Sequence, residues 1–261
     1  MIPIEYISHS RLELFRKNPV MYKKIYIDKT AVRDSSPAMM LGSLVHKMLL
    51  EPTKVEERFA VSPICDKRTK AGKETWEAFK ATLAEGIEVI THDDVDQATR
   101  MIAAIHENTS SQYLLKPSAI REKELLLEIF VDGDAVMVKL IPDIYDPIAG
   151  WLGDLKTVSS YDPLDWGKEC VFNGYLRQLA LYRFCLRSSG ISINDVYHIL
   201  VDKGEYPTAM VVQFDSSDLD RAENQVFDGI RKFLSAHESE NFLPPYYGII
   251  PKITAPTWSW R

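Results

Sequence analysis

The chain has few cysteines, no long apolar run and no excess of positive charge. Its three cysteines, Cys65, Cys170 and Cys185, are widely separated, which excludes a disulfide framework and a four-cysteine iron–sulfur cluster. We expect reduced thiols in a cytoplasmic protein. No segment reaches the length of a membrane span, and the first residues lack the pattern of a secretory signal. The net charge of −6 disfavours nonspecific nucleic-acid binding but leaves room for a local DNA contact.

The composition is that of an ordinary globular protein. Hydrophobic residues make up 46% and charged residues 26% of the 261 residues, enough for a substantial core. We predict a single domain, 1–261. It comprises a mainly helical part over 1–110, an α/β core over 118–240, and a tail over 241–261 that is rich in proline and aromatic residues.

Hydrophobic periodicity predicts an α/β fold. Helices are predicted over 8–26 with an interruption at Pro19, and over 38–51, 74–84, 93–107, 163–187 and 216–238. Strands are predicted over 122–130, 135–146, 151–157, 196–202 and 209–214, with a hairpin turn at Asp132-Gly133. This order indicates a mixed central sheet flanked by helices, with an N-terminal helical elaboration.

Acidic residues fall near the ends of three predicted strands. Pro142-Asp143 is followed eleven residues later by Asp154-Leu155-Lys156, and Glu124 lies on the preceding strand. On adjacent strands the two aspartates would converge, and converging carboxylates repel each other unless a cation lies between them. Oxygen ligands favour Mg²⁺, with Mn²⁺ as a substitute.

The spacing of Asp154 and Lys156 adds an ammonium group to this predicted site. Residues two apart on a strand project from the same face. A metal ion lowers the pKa of bound water, and a lysine beside it stabilises a developing phosphate charge, so the pattern fits phosphodiester hydrolysis. Any single Asp-x-Lys is usually a solvated surface pair, but the joint pattern is much rarer.

The chain resembles the PD-(D/E)XK nuclease superfamily, and within it the RecE-type (exonuclease VIII) nuclease domain of phages and prophages. The resemblance spans nearly the whole chain. It rests on the segments Ser10-Arg11-Leu12 to Asn18-Pro19, Leu41-Gly42 to Glu51-Pro52, Arg68-Thr69-Lys70-Ala71-Gly72-Lys73-Glu74, Pro142-Asp143, Asp154-Leu155-Lys156-Thr157, and Gln178 with Tyr182.

The resemblance implies a role for each matching position. Asp143 and Asp154 would bind the metal together with the Leu155 carbonyl, and Lys156 would be the catalytic lysine. His46 would be an active-site histidine at or beside a metal, although without the resemblance a core histidine is the better interpretation.

Two further sets of residues follow from the same match. Gln178 and Tyr182 would line the site and contact DNA. The first acid is Glu122 or Glu124, with Glu128 on the same strand. Spacing to Asp143 favours Glu124, whereas alternation does not distinguish the three acids.

A basic run precedes the predicted helix 74–84. Arg68, Lys70 and Lys73 belong to it, and such runs are usually solvated. Because Gly72 and a helix start allow a phosphate-holding loop, we interpret them as DNA contacts. We expect Trp258 and Trp260 in the tail to pack on the body.

The resemblance implies an activity and partners. We expect a Mg²⁺-dependent 5′→3′ exonuclease on duplex DNA ends that leaves 3′ single-stranded tails for a RecT-like annealing protein. A ring-shaped homo-oligomer, a tetramer, is expected to thread the duplex. The alternatives are another PD-(D/E)XK repair nuclease, such as an endonuclease or a Cas4-like enzyme, and an inactive DNA-end binding protein.

Overall fold

Nine helices lie in the part of the chain that the computed structural model describes, namely residues 4–32, 37–159, 162–244 and 246–250. They are α1 (His9–Lys17), α2 (Pro19–Tyr22), α3 (Pro37–Leu50), α4 (Lys70–Ala81), α5 (His92–Glu107), α6 (Thr109–Leu114), α7 (Pro163–Asn173), α8 (Tyr175–Ser188) and α9 (Ser216–Glu238). A π-helical turn, Lys23–Ile27, continues α2, and a 3-10 turn, Pro52–Lys54, follows α3. No helix in these ranges is both long and apolar enough to cross a membrane.

The strands form one mixed sheet and two small ones within the described residues. They are β1 (Phe59–Val61), β2 (Glu88–Ile90), β3 (Ile120–Arg121), β4 (Leu125–Val131), β5 (Asp134–Leu140), β6 (Ile144–Asp146), β7 (Trp151–Val158), β8 (Asp195–Asp202) and β9 (Ala209–Gln213). The main sheet has the order β3-β6-β7-β8-β9, with β7 and β8 parallel and the other neighbours antiparallel. The predicted mixed central sheet flanked by helices is therefore confirmed.

Alternation along β7 supplies side chains to both faces of the main sheet. Leu155 packs in one core cluster with α3 and α5, whereas Leu152 packs in a second cluster with α8 and α9. Val158 belongs to a third, smaller cluster with Trp166 of α7. Since side chains alternate along a strand, β7 joins the two helical layers through the middle of the molecule.

Two predicted strands are each broken in the structure. The segment 122–130 begins with Glu122 at φ 46, a left-handed conformation that ends β3 before β4 begins. The segment 135–146 is interrupted at 141–143 because β5 pairs with β4 in a separate two-stranded sheet, while β6 belongs to the main sheet. The Asp132-Gly133 turn is confirmed, with φ 54 and φ 95 at its two residues.

The predicted helices differ from the structure mainly at their ends. The helix predicted over 74–84 begins earlier, at Lys70, because the Thr69 hydroxyl caps it by accepting the Gly72 N–H at 3.0 Å. Strands β1, β2 and β3 and helix α6 were not predicted. Residues 245 and 251–261 of the predicted tail, the latter including Trp258 and Trp260, lie outside the described residues.

The long helix predicted over 163–187 is wrong, because Gly174 separates α7 from α8. Its φ is 85, in the left-handed region. A Cβ at this position would lie 2.6 Å from the Glu13 carboxylate. That carboxylate accepts hydrogen bonds from Arg177 at 2.6 and 3.0 Å. The break therefore lets α1 approach the start of α8.

We predict that Gly174→Ala destabilises the protein by about 2 kcal/mol, because an L-residue is strained at positive φ and the new methyl group displaces Glu13. Gly167→Ala is the matched control, since Gly167 lies in α7 with nothing within 4 Å of its would-be Cβ. It should stabilise by up to about 1 kcal/mol. Urea unfolding of both variants measures this, and equal midpoints would contradict the role of Gly174.

Candidate metal centre

Three side chains from separate segments meet at the edge of the main sheet. His46 comes from α3, Glu122 follows β3, and Asp143 precedes β6. His46 Nδ1 lies 3.5 Å from Asp143 Oδ2 and 3.9 Å from Glu122 Oε1. One ligand atom from each residue lies within 4.8 Å of those from the other two. The group is therefore compact enough to hold a single cation.

Backbone groups of the sheet hold Asp143 in place. The Leu155 N–H donates to Asp143 Oδ2 at 2.6 Å, and the Glu122 N–H donates to the Asp143 carbonyl at 3.1 Å. Asp143 is only 7% exposed. Pro142 disfavours helical backbone at the residue before it. The chain therefore forms no helix here, and the Asp143 carboxylate lies against β7.

Helix α3 brings His46 close to β7. Leu44 and Val45 are fully buried, and they pack in a core cluster that includes residues of α5 and of the main sheet. Gly42 faces Thr157, whose Oγ1 would lie 3.2 Å from an added Cβ. The absence of a side chain at this point allows the helix to lie close against the strand.

His46 carries a positive charge when no metal is bound. Its Nε2–H donates to the Leu155 carbonyl at 2.7 Å. Burial lowers the pKa of His46, but the Asp143 charge and the Glu122 hydrogen bond outweigh it and raise the pKa to about 9. An imidazolium therefore offsets the two carboxylates, and a cation that uses His46 as a ligand must displace a proton.

Lys156 and Asp154 project from the same face of β7, as alternation predicts. Lys156 Nζ lies 2.5 Å from Asp154 Oδ2 and 4.8 Å from the centre of the Tyr175 ring. Burial alone lowers the pKa of Lys156, but the charges of Asp154 and Asp143 raise it above its usual value. The group is therefore an ammonium.

Asp154 is not part of the compact His46 group. Its side chain is 1% exposed and lies behind Lys156, and its Oδ1 has no hydrogen-bond partner among the described residues. A buried carboxylate oxygen without a donor is costly unless a cation or water completes it. This oxygen is therefore a further potential ligand on the side of Lys156.

Of the two residues predicted on α8, Gln178 contacts the lysine and Tyr182 contacts Gln178. Lys156 Nζ donates to Gln178 Oε1 at 3.4 Å, and Gln178 Nε2 donates to the Tyr182 hydroxyl at 3.5 Å. Tyr182 is buried, at 8% exposure, within the core cluster below α8. Gln178 therefore orients Lys156 in this structure.

The structure brings Glu122, not the favoured Glu124, to the other two side chains. Glu122 joins His46 and Asp143, whereas the Glu124 side chain is 58% exposed and pairs with Lys139 at 2.7 Å. Glu128 is exposed on β4. The preference for Glu124 assumed a continuous strand over 122–130, whereas the backbone turns at Glu122.

The predicted basic run lies on the surface at the start of α4. Arg68 pairs with Asp66 at 3.0 Å and its side chain is 91% exposed; the Lys70 side chain is 93% exposed and Lys73 is also exposed. None of the three lines the cleft that holds His46 and Lys156.

Other basic residues line that cleft and were missed. They are Lys47, Arg58 and Lys203. Lys47 pairs with Glu51, and Arg58 pairs with Glu88 at 2.9 Å. The sequence could have indicated only Lys47, because it is adjacent to His46. Arg58 and Lys203 belong to distant segments that the fold places at the cleft.

The donor set fits a divalent cation. Two carboxylates and the Leu155 carbonyl supply hard oxygen atoms, which suit Mg²⁺ and Mn²⁺. His46 adds an imidazole nitrogen, and Asp154 Oδ1 lacks a partner in the described part of the chain. The arrangement is thus a possible acidic metal site with an ammonium group alongside.

Comparison with one solved structure agrees with this fold. A solved structure of a candidate exonuclease from Eubacterium rectale superposes with a TM-score of 0.63 at 16% identity, covering 98% of this chain and 92% of that one. A second, SSO0001, gives a TM-score of 0.41 at 14% identity over 88% and 78% of the two chains. A search of curated proteins gives no match.

The strongest finding is a match to a family model. Residues 8–248 match the PDDEXK-like domain of unknown function (DUF3799). The match includes every residue of the acidic site and of the mixed sheet. The chain therefore belongs to this PDDEXK-like family and has a fold of the PD-(D/E)XK nuclease superfamily.

Proposed function

We propose that the chain is a divalent-metal-dependent DNA nuclease whose active site is the cleft around Asp143. One observation carries the proposal: His46, Glu122 and Asp143 converge within 4.8 Å, and Lys156 lines the same cleft. Carboxylates that hold a cation beside an ammonium group match the charge that develops during phosphodiester hydrolysis.

Each residue has a distinct task in this proposal. A bound Mg²⁺ or Mn²⁺ ion supplies a Lewis acid and a water of lowered pKa. Asp143, Glu122 and the Leu155 carbonyl would hold the ion, and His46 would have to lose its proton to serve as a ligand. Asp154 Oδ1 is the further ligand that the sequence resemblance implies.

Lys156 acts on the phosphate rather than on the metal. Its raised pKa keeps it an ammonium at neutral pH, so it donates hydrogen bonds to a scissile phosphate and to the attacking water. Gln178 holds the ammonium by its side-chain oxygen. In this proposal Tyr182 supports Gln178 from the core.

DNA would lie along the basic side of the cleft. Lys47, Arg58 and Lys203 supply cations at the cleft itself, and Arg68, Lys70 and Lys73 extend the proposed contact to the start of α4. Contacts between basic side chains and phosphates position the duplex without reading its sequence. The acidic remainder of the surface limits nonspecific binding.

The finer activity we propose is a RecE-type 5′→3′ exonuclease on duplex ends, with Mg²⁺ as the metal. It would generate 3′ single-stranded tails for a RecT-like annealing protein, working as a ring-shaped tetramer in the bacterial cytoplasm. Support comes from the motifs shared with RecE-type nucleases and from the description of the Eubacterium rectale protein as a candidate exonuclease.

Substituting Glu122 and Glu124 separately tests the site assignment. Glu122→Gln should weaken Mn²⁺ binding by about tenfold or more, because it removes a charged ligand, a loss at least as large as that of an outer-shell partner. Glu124→Gln is the matched control, with the same change two residues away, and should bind normally. Titration calorimetry measures both, and the opposite ranking would restore Glu124 as the first acid.

Linear and closed circular DNA distinguish the proposed activity from its rivals. We expect Mg²⁺-dependent nucleotide release from 5′-labelled linear duplex and none from covalently closed circles. Cleavage of circles would favour an endonuclease. Lys156→Ala should abolish release, and equal nucleotide release by this variant would reject the assigned site. Metal-independent DNA-end binding without release would favour an inactive end-binding protein.

A further inference from the structure

A buried histidine lies behind the proposed site and has no role in the chemistry above. His198 on β8 is the register partner of Asp154 on the parallel neighbour β7. Its side chain is 0% exposed, and its Nε2 lies 3.5 Å from Asp154 Oδ2. The ring therefore lies beside the carboxylate on the same face of the sheet, out of contact with solvent.

The other ring nitrogen fixes the tautomer of His198. The Trp166 indole N–H donates to His198 Nδ1 at 3.2 Å. An indole nitrogen only donates, so Nδ1 must carry a lone pair. The Cys170 thiol lies 3.8 Å from the same nitrogen. Burial raises the pKa of Cys170 to about 12, so the thiol is also protonated.

The proton of the neutral ring is consequently on Nε2, which faces Asp154. At 3.5 Å the contact is longer than a full hydrogen bond. Among the residues that the structure describes, His198 Nε2 and both Asp154 carboxylate oxygens lack a hydrogen-bond partner, although Oδ2 forms an ion pair with Lys156 whereas Oδ1 does not. Buried polar groups rarely remain unpaired without a reason, and here a small movement of the carboxylate pairs Nε2–H with Oδ2.

We propose that His198 is a positioning residue for Asp154. Its Nε2–H, directed by Trp166, holds Oδ2 and leaves Oδ1 as the oxygen offered to the metal. Partners of this kind orient metal ligands and tune their affinity. The inference rests on the proposed metal-dependent function, and its rival is a histidine that only fills space among aromatic rings.

The tautomer is tested first, on the metal-free wild-type protein. Long-range ¹H–¹⁵N correlation spectra of histidine-labelled protein should show His198 with a protonated Nε2 and a bare Nδ1. A ring protonated on Nδ1, or on both nitrogens, would overturn the proposal. This measurement needs neither a variant nor a metal.

The positioning role is tested by Mn²⁺ titration calorimetry on two matched amides. In His198→Gln the amide nitrogen reaches the place of Nε2 and still donates to Asp154. In His198→Asn it reaches only the place of Nδ1. We expect His198→Asn to weaken Mn²⁺ binding by about tenfold and His198→Gln to recover most of the loss.

A control variant and the pattern of Mn²⁺ affinities distinguish failure of the His198 role from failure of the proposed metal-dependent function. His237→Asn changes another buried histidine, packed against Phe233 and Phe242, and should leave Mn²⁺ affinity unchanged. Equal loss in His198→Gln and His198→Asn, or no loss in a folded His198→Asn, would overturn the role of His198. A wild-type protein that binds no Mn²⁺ would instead overturn the proposed function and, with it, this role, even if the tautomer is as expected.

Discussion

The structure around β7 must hold several carboxylates close together in a site that is largely shielded from solvent. Asp143 and Glu122 face one another across His46, while the buried Asp154 faces Lys156. Like charges at this spacing repel unless cations are interleaved with them. The negative charge of these carboxylates raises the pKa values of His46 and Lys156, so both side chains are cations that offset the repulsion. A divalent cation would offset it in the same way.

Strand β7 makes this arrangement possible because it serves both layers of the fold. Its backbone at Leu155 bonds to Asp143 and His46 on the side of α3. On the other side, its Lys156 side chain contacts Tyr175 and Gln178 of α8, and its Asp154 side chain lies beside His198 of β8. A rigid strand between two packed helical layers fixes ligands more sharply than a loop does, so the site is held by the core rather than by surface segments.

The sequence predicted what depends on local periodicity and turn chemistry. Alternation placed Asp154 and Lys156 on one face, and the Asp132-Gly133 turn and the apolar helix with His46 were also foreseen. The misses depend on contacts between distant segments. The left-handed backbone at Glu122 places this residue, not Glu124, near Asp143. The close approach of Glu13 at Gly174 separates two helices, and Arg58 and Lys203 reach the cleft only through the tertiary fold.

The central claim is that one divalent cation is held at the point where His46, Glu122 and Asp143 converge. The most direct measurement is anomalous X-ray scattering from crystals soaked in Mn²⁺. A single strong peak bonded to carboxylate oxygens of Asp143 and Glu122, next to the Leu155 carbonyl, is the expected result. Mn²⁺ bound elsewhere, or no peak in this cleft while the crystal binds Mn²⁺ at other carboxylates, would contradict the claim.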